Sequence, residues 1–168
     1  AKTFVGGDFT YDCTLDQGGA GALTITGSNT FNNITNTYGV TGATSILLTA
    51  GITQTVKAFN ASGSSGKLLT FKSVTSGSQA TVNYSNINTG KTISVDYLSV
   101  QDIAFTPTPA TDGSRPYFWY LGANSTNTSN NTGALFIAGG TTGIKAYVIS
   151  NTSTTTWTVP ADFNSSNN

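Results

Sequence analysis

The chain has 168 residues and a mass of 17.3 kDa, one domain's worth, and its seven basic and seven acidic side chains cancel. Charged residues make up 8% of the total against about 25% in an ordinary soluble domain, so neither nucleic acid nor a membrane surface is implied as a partner. Every acid is Asp, His is absent and Cys13 is the single cysteine, which removes Ser-His-Asp and Cys-His triads, His-ligated metals, internal disulfides and multi-Cys zinc sites; no cofactor is expected.

The 31 Thr, 18 Ser, 16 Asn and 19 Gly make up half the chain and are poor in helix interiors, which points to an all-β protein. The opening residues 1–13 hold no apolar run of the secretory type, and no stretch reaches the roughly 18 apolar residues of a membrane helix. Ala1 suits an N-terminus exposed by removal of an initiator Met, so synthesis in a cytosol is the expectation. Asp8, Asp12 and Asp16 recur every four residues but lack the alternate-position acids and closing Glu of a Ca²⁺-binding EF-hand loop, and turn or exposed-face roles account for them. Cys13 lies between Asp12 and Thr14, among acids where an activated thiolate needs cations, and reads as a buried filler. Gly18-Gly-Ala-Gly21 has neither the GxGxxG spacing nor a Walker lysine and reads as a turn.

Apolar doublets then recur as Leu23-Thr-Ile25, Ile46-Leu-Leu48, Leu69-Thr-Phe71 and Ile93-Ser-Val95, at intervals of 23, 23 and 24 residues. Each is followed by a second apolar patch: Phe31 with Ile34, Val56 with Phe59, Ala80 with Val82, and Leu98 with Val100. Turn formers separate them, among them Gly27-Ser-Asn29, Ala50-Gly51, Gly63-Ser-Ser-Gly66 and Thr75-Ser-Gly77. A period of this length with short strands, no helix and no long loop predicts a short parallel β-helix-like solenoid of about five coils with at least two strands per coil. Stacked at about 4.8 Å, the coils would stand ~25 Å tall, with apolar members inward and Thr or Ser outward. An antiparallel sandwich or jelly roll shows the same period-2 alternation and remains the alternative. Eight Asn-x-Ser/Thr triplets, beginning at Asn33 and Asn60, read as coincidence in so hydroxyl-rich a chain.

Beyond Val100 the regularity loosens. Thr106-Pro-Thr-Pro109 and Asp112-Gly-Ser-Arg-Pro116 read as an excursion, since Pro cannot donate to a ladder. The run Tyr117, Phe118, Trp119 and Tyr120 follows, and in a two-faced strand two of these rings point away from the core. Core or cap packing, a subunit contact and stacking on a host glycan are the three readings of that run, with Trp157 as a further contact candidate. Residues 122–133 form a long polar turn, Leu135-Phe-Ile137 re-enters the core, and Gly139-Gly-Thr-Thr-Gly143 looks like a hinge. The expected organisation is therefore a solenoid domain over 1–138 and a C-terminal strand segment over 139–168, ending without a closing strand as if continued by a tail.

Enzymatic chemistry would have to use Asp. Asp96 and Asp102, with Asp112 and Arg115 nearby, are the candidates for paired-carboxylate glycoside hydrolysis, but a spacing of six fixes no catalytic separation, and Asp96 reads as a solvated outward residue. Six Lys and one Arg are scattered without a basic patch. No catalytic, metal or cofactor residue is expected.

Several phrases resemble repeats in virion structural proteins of tailed bacteriophages, of the tail-fibre-like, appendage or capsid-decorating kind. They are Thr3-Phe-Val-Gly-Gly-Asp8 through Leu23-Thr-Ile-Thr-Gly-Ser-Asn-Thr-Phe31, Val95-Asp-Tyr-Leu-Ser-Val-Gln-Asp102, and residues 122–133. The ending Thr156-Trp-Thr-Val-Pro-Ala-Asp-Phe-Asn164 is similar to a phrase that precedes Gly-rich segments in such proteins. The resemblance implies a non-enzymatic protein of the virion surface, a cement protein or fibre base, whose partners are its own copies in a homotrimer and the major capsid or tail proteins. A receptor- or glycan-binding tail-fibre module is the alternative it leaves open.

Overall fold

Apolar and hydroxyl side chains alternate through Leu23-Thr-Ile25-Thr26, and in the computed structural model this alternation separates a narrow core from a hydroxyl-covered surface. The structure describes residues 1–87, 91–108 and 117–137. Three sheet faces run along a parallel β-solenoid of about five turns. The first face stacks β1 (Lys2–Val5), β3 (Leu23–Thr26), β5 (Thr44–Leu48), β8 (Leu69–Ser73), β11 (Leu98–Gln101) and β14 (Thr126–Ser129). The second stacks β2 (Thr10–Asp16), β4 (Thr30–Thr35), β6 (Thr53–Val56), β9 (Ala80–Tyr84) and β12 (Ile103–Thr106). On the third face lie β7 (Phe59–Asn60), which pairs with the end of β4, and β10 (Ile93–Ser94), β13 (Trp119–Tyr120) and β15 (Ala134–Leu135). Every ladder between these strands is parallel, so the antiparallel sandwich does not apply.

Register follows the inward apolar positions, because a slip of one residue would turn every Thr into the core. Lys2, Leu23, Ile46, Phe71 and Val100 lie over one another on the first face, and Phe31 sits beneath Val56 on the second. Two doublets fall out of the expected phase. Ile46 stacks on Phe71 rather than on Leu69, which pairs with Thr44. Ile93-Ser94 belongs to the third face, and Leu98 with Val100, expected on the second face, are the residues that continue the first. The second face of that coil is instead Ile103 and Phe105, paired with Ala80 and Val82. The three-residue spacing of Phe31 and Ile34 arises because β4 bends: its start pairs with β6 and its end with β7. In β2 the same bend carries one extra residue, a bulge between Tyr11 and Thr14.

Aromatic rings fill the core where layers meet. Phe4, Tyr11 and Phe31 interlock at centroid distances of 5.1 to 5.5 Å in the first two layers. Higher up, Trp119 contacts Phe105 at 5.0 Å and Phe59 at 5.7 Å. Two of the buried polar side chains, Asn29 at a corner and Gln54 in β6, are joined by a 3.1 Å hydrogen bond, and the Gln54 amide donates to the Gly27 carbonyl at 2.7 Å.

Ile46→Ala is expected to lower the free energy of unfolding by about 3 kcal/mol and outward Thr70→Ala by no more than about 0.5, read from urea denaturation. Two glycines separate conformation from space. Gly27 (φ 72°) would place a Cβ 2.7 Å from the Gly6 carbonyl oxygen, whereas Gly51 (φ 75°) faces open space. Gly27→Ala should therefore destabilise clearly more than Gly51→Ala in the same measurement.

Candidate functional site

The carboxylates expected to be solvated or available for chemistry are fastened between layers. Asp102 is buried and turns the corner between β11 and β12 at φ 56°. Its carboxylate accepts from the Gly77 amide at 3.1 Å in the layer below, from Gln101 at 3.0 Å, and from the Asn130 side chain at 2.7 Å in the layer above. The Asn130 hydrogen bond holds its pKa below the usual 3.8, with the Gly77 amide, Gln101 and the Lys72 charge adding to the shift against the cost of burial. Asp96 accepts from its neighbour Tyr97 amide at 2.8 Å and from the Asn124 amide and side chain at 2.9 and 2.7 Å. The expectation of a freely solvated Asp96 is thus corrected: the turn that begins at Gly122 closes onto it, and a Cβ at Gly122 would lie 2.2 Å from the carboxylate. Asp96 and Asp102 occupy different corners and face different partners, so they form no acid–base pair. Asp112 and Arg115 lie outside the described residues.

Near the N-terminus, Asp8 accepts from the Ser28 amide at 2.5 Å, Asp12 from the Asn32 side chain, and Asp16 from Thr35 and from both the amide and hydroxyl of Thr37. Burial raises the Asp16 pKa, but the Thr37 and Thr35 hydrogen bonds and the Lys2 charge outweigh it, leaving it below 3.8. The three acids therefore reach up to the second layer rather than toward a common point, and no group of three or more His, Cys or Asp able to hold a metal occurs among the described residues. Cys13 is exposed, not buried, because Tyr11 and Leu15 take the inward positions of β2 and the bulge turns the intervening residues outward.

Of the aromatic run, Phe118, Trp119 and Tyr120 are buried and Tyr117 is half-buried. Trp119 has no exposed surface, and its indole N–H donates to the Thr106 carbonyl at 2.9 Å. Phe118 packs on Tyr84 at 6.1 Å. The expectation that two rings of the run face away from the core does not hold for these three, and the core-packing reading accounts for them. Trp157 and the 139–168 segment lie outside the described residues.

The described residues also form a concave feature. A cleft of about 320 Å³ opens where the second face turns into the third, between Lys57-Ala58-Phe59-Asn60 on one side and Lys91-Thr92-Ile93-Ser94 on the other, with Tyr84 and Asn86 between them. Phe59, Tyr84 and Ile93 are buried at its base, while Lys57, Asn60, Lys91, Thr92 and Ser94 are exposed at its mouth. Lys57 is 3.9 Å from the Asp12 carboxylate, which is 87% exposed and so attracts only weakly. Sequence reasoning missed this cleft because its two walls are some thirty positions apart and neither carries a motif.

No protein-family model, no curated protein and no solved structure matches the chain.

Both Asp16 and Asp102 ionise more readily in the folded state than in the unfolded chain. Their contribution is present above the ordinary Asp pKa and disappears as pH falls through the lowered values, so the urea midpoint should drop as pH falls below about 4. Asp102→Asn should be less stable than the parent at neutral pH and should lose less over that acid range.

Proposed function

We propose that this chain is a non-enzymatic structural protein of a tailed-phage virion surface, a capsid-decorating (cement) protein or the base of a fibre or appendage. The observation that carries the reading is where the side chains of the phage-like phrases go. Asp96 and Asp102, which bracket most of Val95-Asp-Tyr-Leu-Ser-Val-Gln-Asp102, are clamped by Asn124 and Asn130 of the 122–133 phrase. The two phrases are thus halves of one layer-to-layer fastening, and their chemistry is spent on holding the stack rather than on a substrate. A parallel stack covered by Thr, Ser and Asn, with few charges to be screened, suits a rigid external part.

Assembly into a homotrimer on the major capsid protein or on tail proteins belongs to the same proposal. The buried aromatic run lends it no support; what does is the first layer, where β1 and β2 are edge strands and Val5 and Phe9 are 78% and 64% exposed. In purified particles the chain should be found by mass spectrometry in fixed stoichiometry, in proportion to the capsid shell for a cement protein or to the tail for an appendage. Sedimentation of the isolated chain should give three times the monomer mass, reduced to one by V5S/F9S. Recovery only as free protein in host cells, never in particles, would sink the reading.

A further inference from the structure

Residues 122–133, which carry β14, close the upper end of the described solenoid without an apolar anchor: Ala123 is their one apolar side chain, and Thr126 to Asn130 are all exposed. Along the first face the inward column runs Leu23, Ile46, Phe71, Val100 and then Asn127, whose side chain accepts from Asn131 at 2.8 Å instead of entering a core. Among the described residues β14 is the edge of its sheet and pairs only with β11. Backbone bonds beyond that ladder run from the Asp102 amide to the Ser129 carbonyl at 3.0 Å and from the Phe105 amide to the Thr132 carbonyl at 2.9 Å. Few buried apolar contacts and exposed backbone hydrogen bonds mark a segment that opens before the rest of a fold.

What fastens the segment is a carboxylate toward each end, Asp96 on Asn124 and Asp102 on Asn130. Both oxygens of each already accept: those of Asp96 from Tyr97 and Asn124, those of Asp102 from Gly77, Gln101 and Asn130. A proton added to either carboxylate finds only donors around it, so it displaces one of them, and the bonds that remain lose their charge assistance. Ser125 and Asn131 accept from the Leu98 and Ile103 amides at 2.8 and 2.9 Å, and these neutral bonds do not titrate in acid. Outside the clamps Gly122 and Gly133 hold left-handed φ of 83° and 79°, while Leu121 before them is buried and Ala134 after them packs on the core, so the chain between can swing on fixed flanks. Residues 122–133 and the 74–79 turn beneath Asp102 carry no charge. Lys72 of β8 acts on Asp102; beside Asp96 stands Tyr97, and Lys67, in the corner below it, donates to the Val40 carbonyl at 2.8 Å.

We propose that residues 122–133 are an acid-released strap: protonation of Asp96 and Asp102 lets the segment lift from β11 and β12 between Gly122 and Gly133, uncovering the edge of β11, while the layers beneath stay folded. The proposal is independent of the virion role.

The test follows amide hydrogen exchange of the full chain by NMR, as protection factors corrected for the intrinsic pH dependence of exchange, through stepwise acidification below about pH 4. Protection at Asp102, Phe105 and Thr132 is expected to fall by about tenfold or more, while Val74 and Thr81, whose amides bond between inner layers at 2.8 and 2.9 Å, keep theirs. D96N/D102N should show the released strap already at neutral pH. N124A/N130G, in which glycine keeps the φ of 51° at the second position, should do so with both carboxylates in place, and neither variant should lose further strap protection in acid. Simultaneous loss of protection in strap and inner layers, a parent strap indifferent to acid, or variant straps as protected as the parent's at neutral pH would each overturn the proposal.

Discussion

A chain wound in parallel layers must turn the same corner once per layer without losing the hydrogen bonds on either side of it, and this requirement organises the molecule. Between the first and second faces the turn is made by a residue with left-handed backbone in every layer: Asp8, Gly27, Gly51, Gly77, Asp102 and Asn130, with φ from 51° to 80°. Only Gly occupies that region freely, and Asp and Asn tolerate it because their short polar side chains bond locally. The sequence uses both solutions. At Gly27 the corner packs closely against Gly6, whereas Gly51 and Gly77 face open space; where the corner is Asp or Asn the side chain becomes a fastening to the adjacent layer, as Asn130 is to Asp102.

The low charge content follows from this use of polar groups. Acceptor oxygens of Asp8, Asp16, Asp96 and Asp102 are all engaged by amides or hydroxyls of adjoining turns. Such charge-assisted hydrogen bonds are stronger than neutral ones and weakly sensitive to salt where they are shielded. The layers are thus held by backbone ladders, a thin aromatic and aliphatic core, and carboxylates at the corners, an arrangement that needs neither disulfide nor metal among the described residues.

Much of the architecture was legible because alternation and period are direct consequences of layered strands. Leu23 with Ile25 and Ile46 with Leu48 stack as their spacing implies. The phase was lost after Phe71 because two doublets five residues apart, Ile93-Ser-Val95 and Leu98-Ser-Val100, fit the alternation equally well; only the side-to-side pairing decides that the second continues the first face. The corner role of Asp102 was not legible for a related reason. Periods find apolar residues, whereas its role lies in a corner series, Gly27, Gly51, Gly77, Asp102, whose steps of 24, 26 and 25 were present in the sequence but mix residue types. Burial of Trp119 and Tyr120 on consecutive positions could not be read from strand alternation, since a two-residue strand at a corner has no true outer face. The cleft has no sequence signal at all; it exists because one ladder, between β7 and β10, is missing.

The strands stack undisturbed past a polar insertion: β9 still pairs with β12 although residues 85–92 intervene before β10. Strand-to-strand contacts that lie between neighbouring layers make the molecule modular along its axis. A lineage can therefore lengthen a corner, or swap its decoration, and alter what the molecule presents to its surroundings while the spindle beneath keeps its shape.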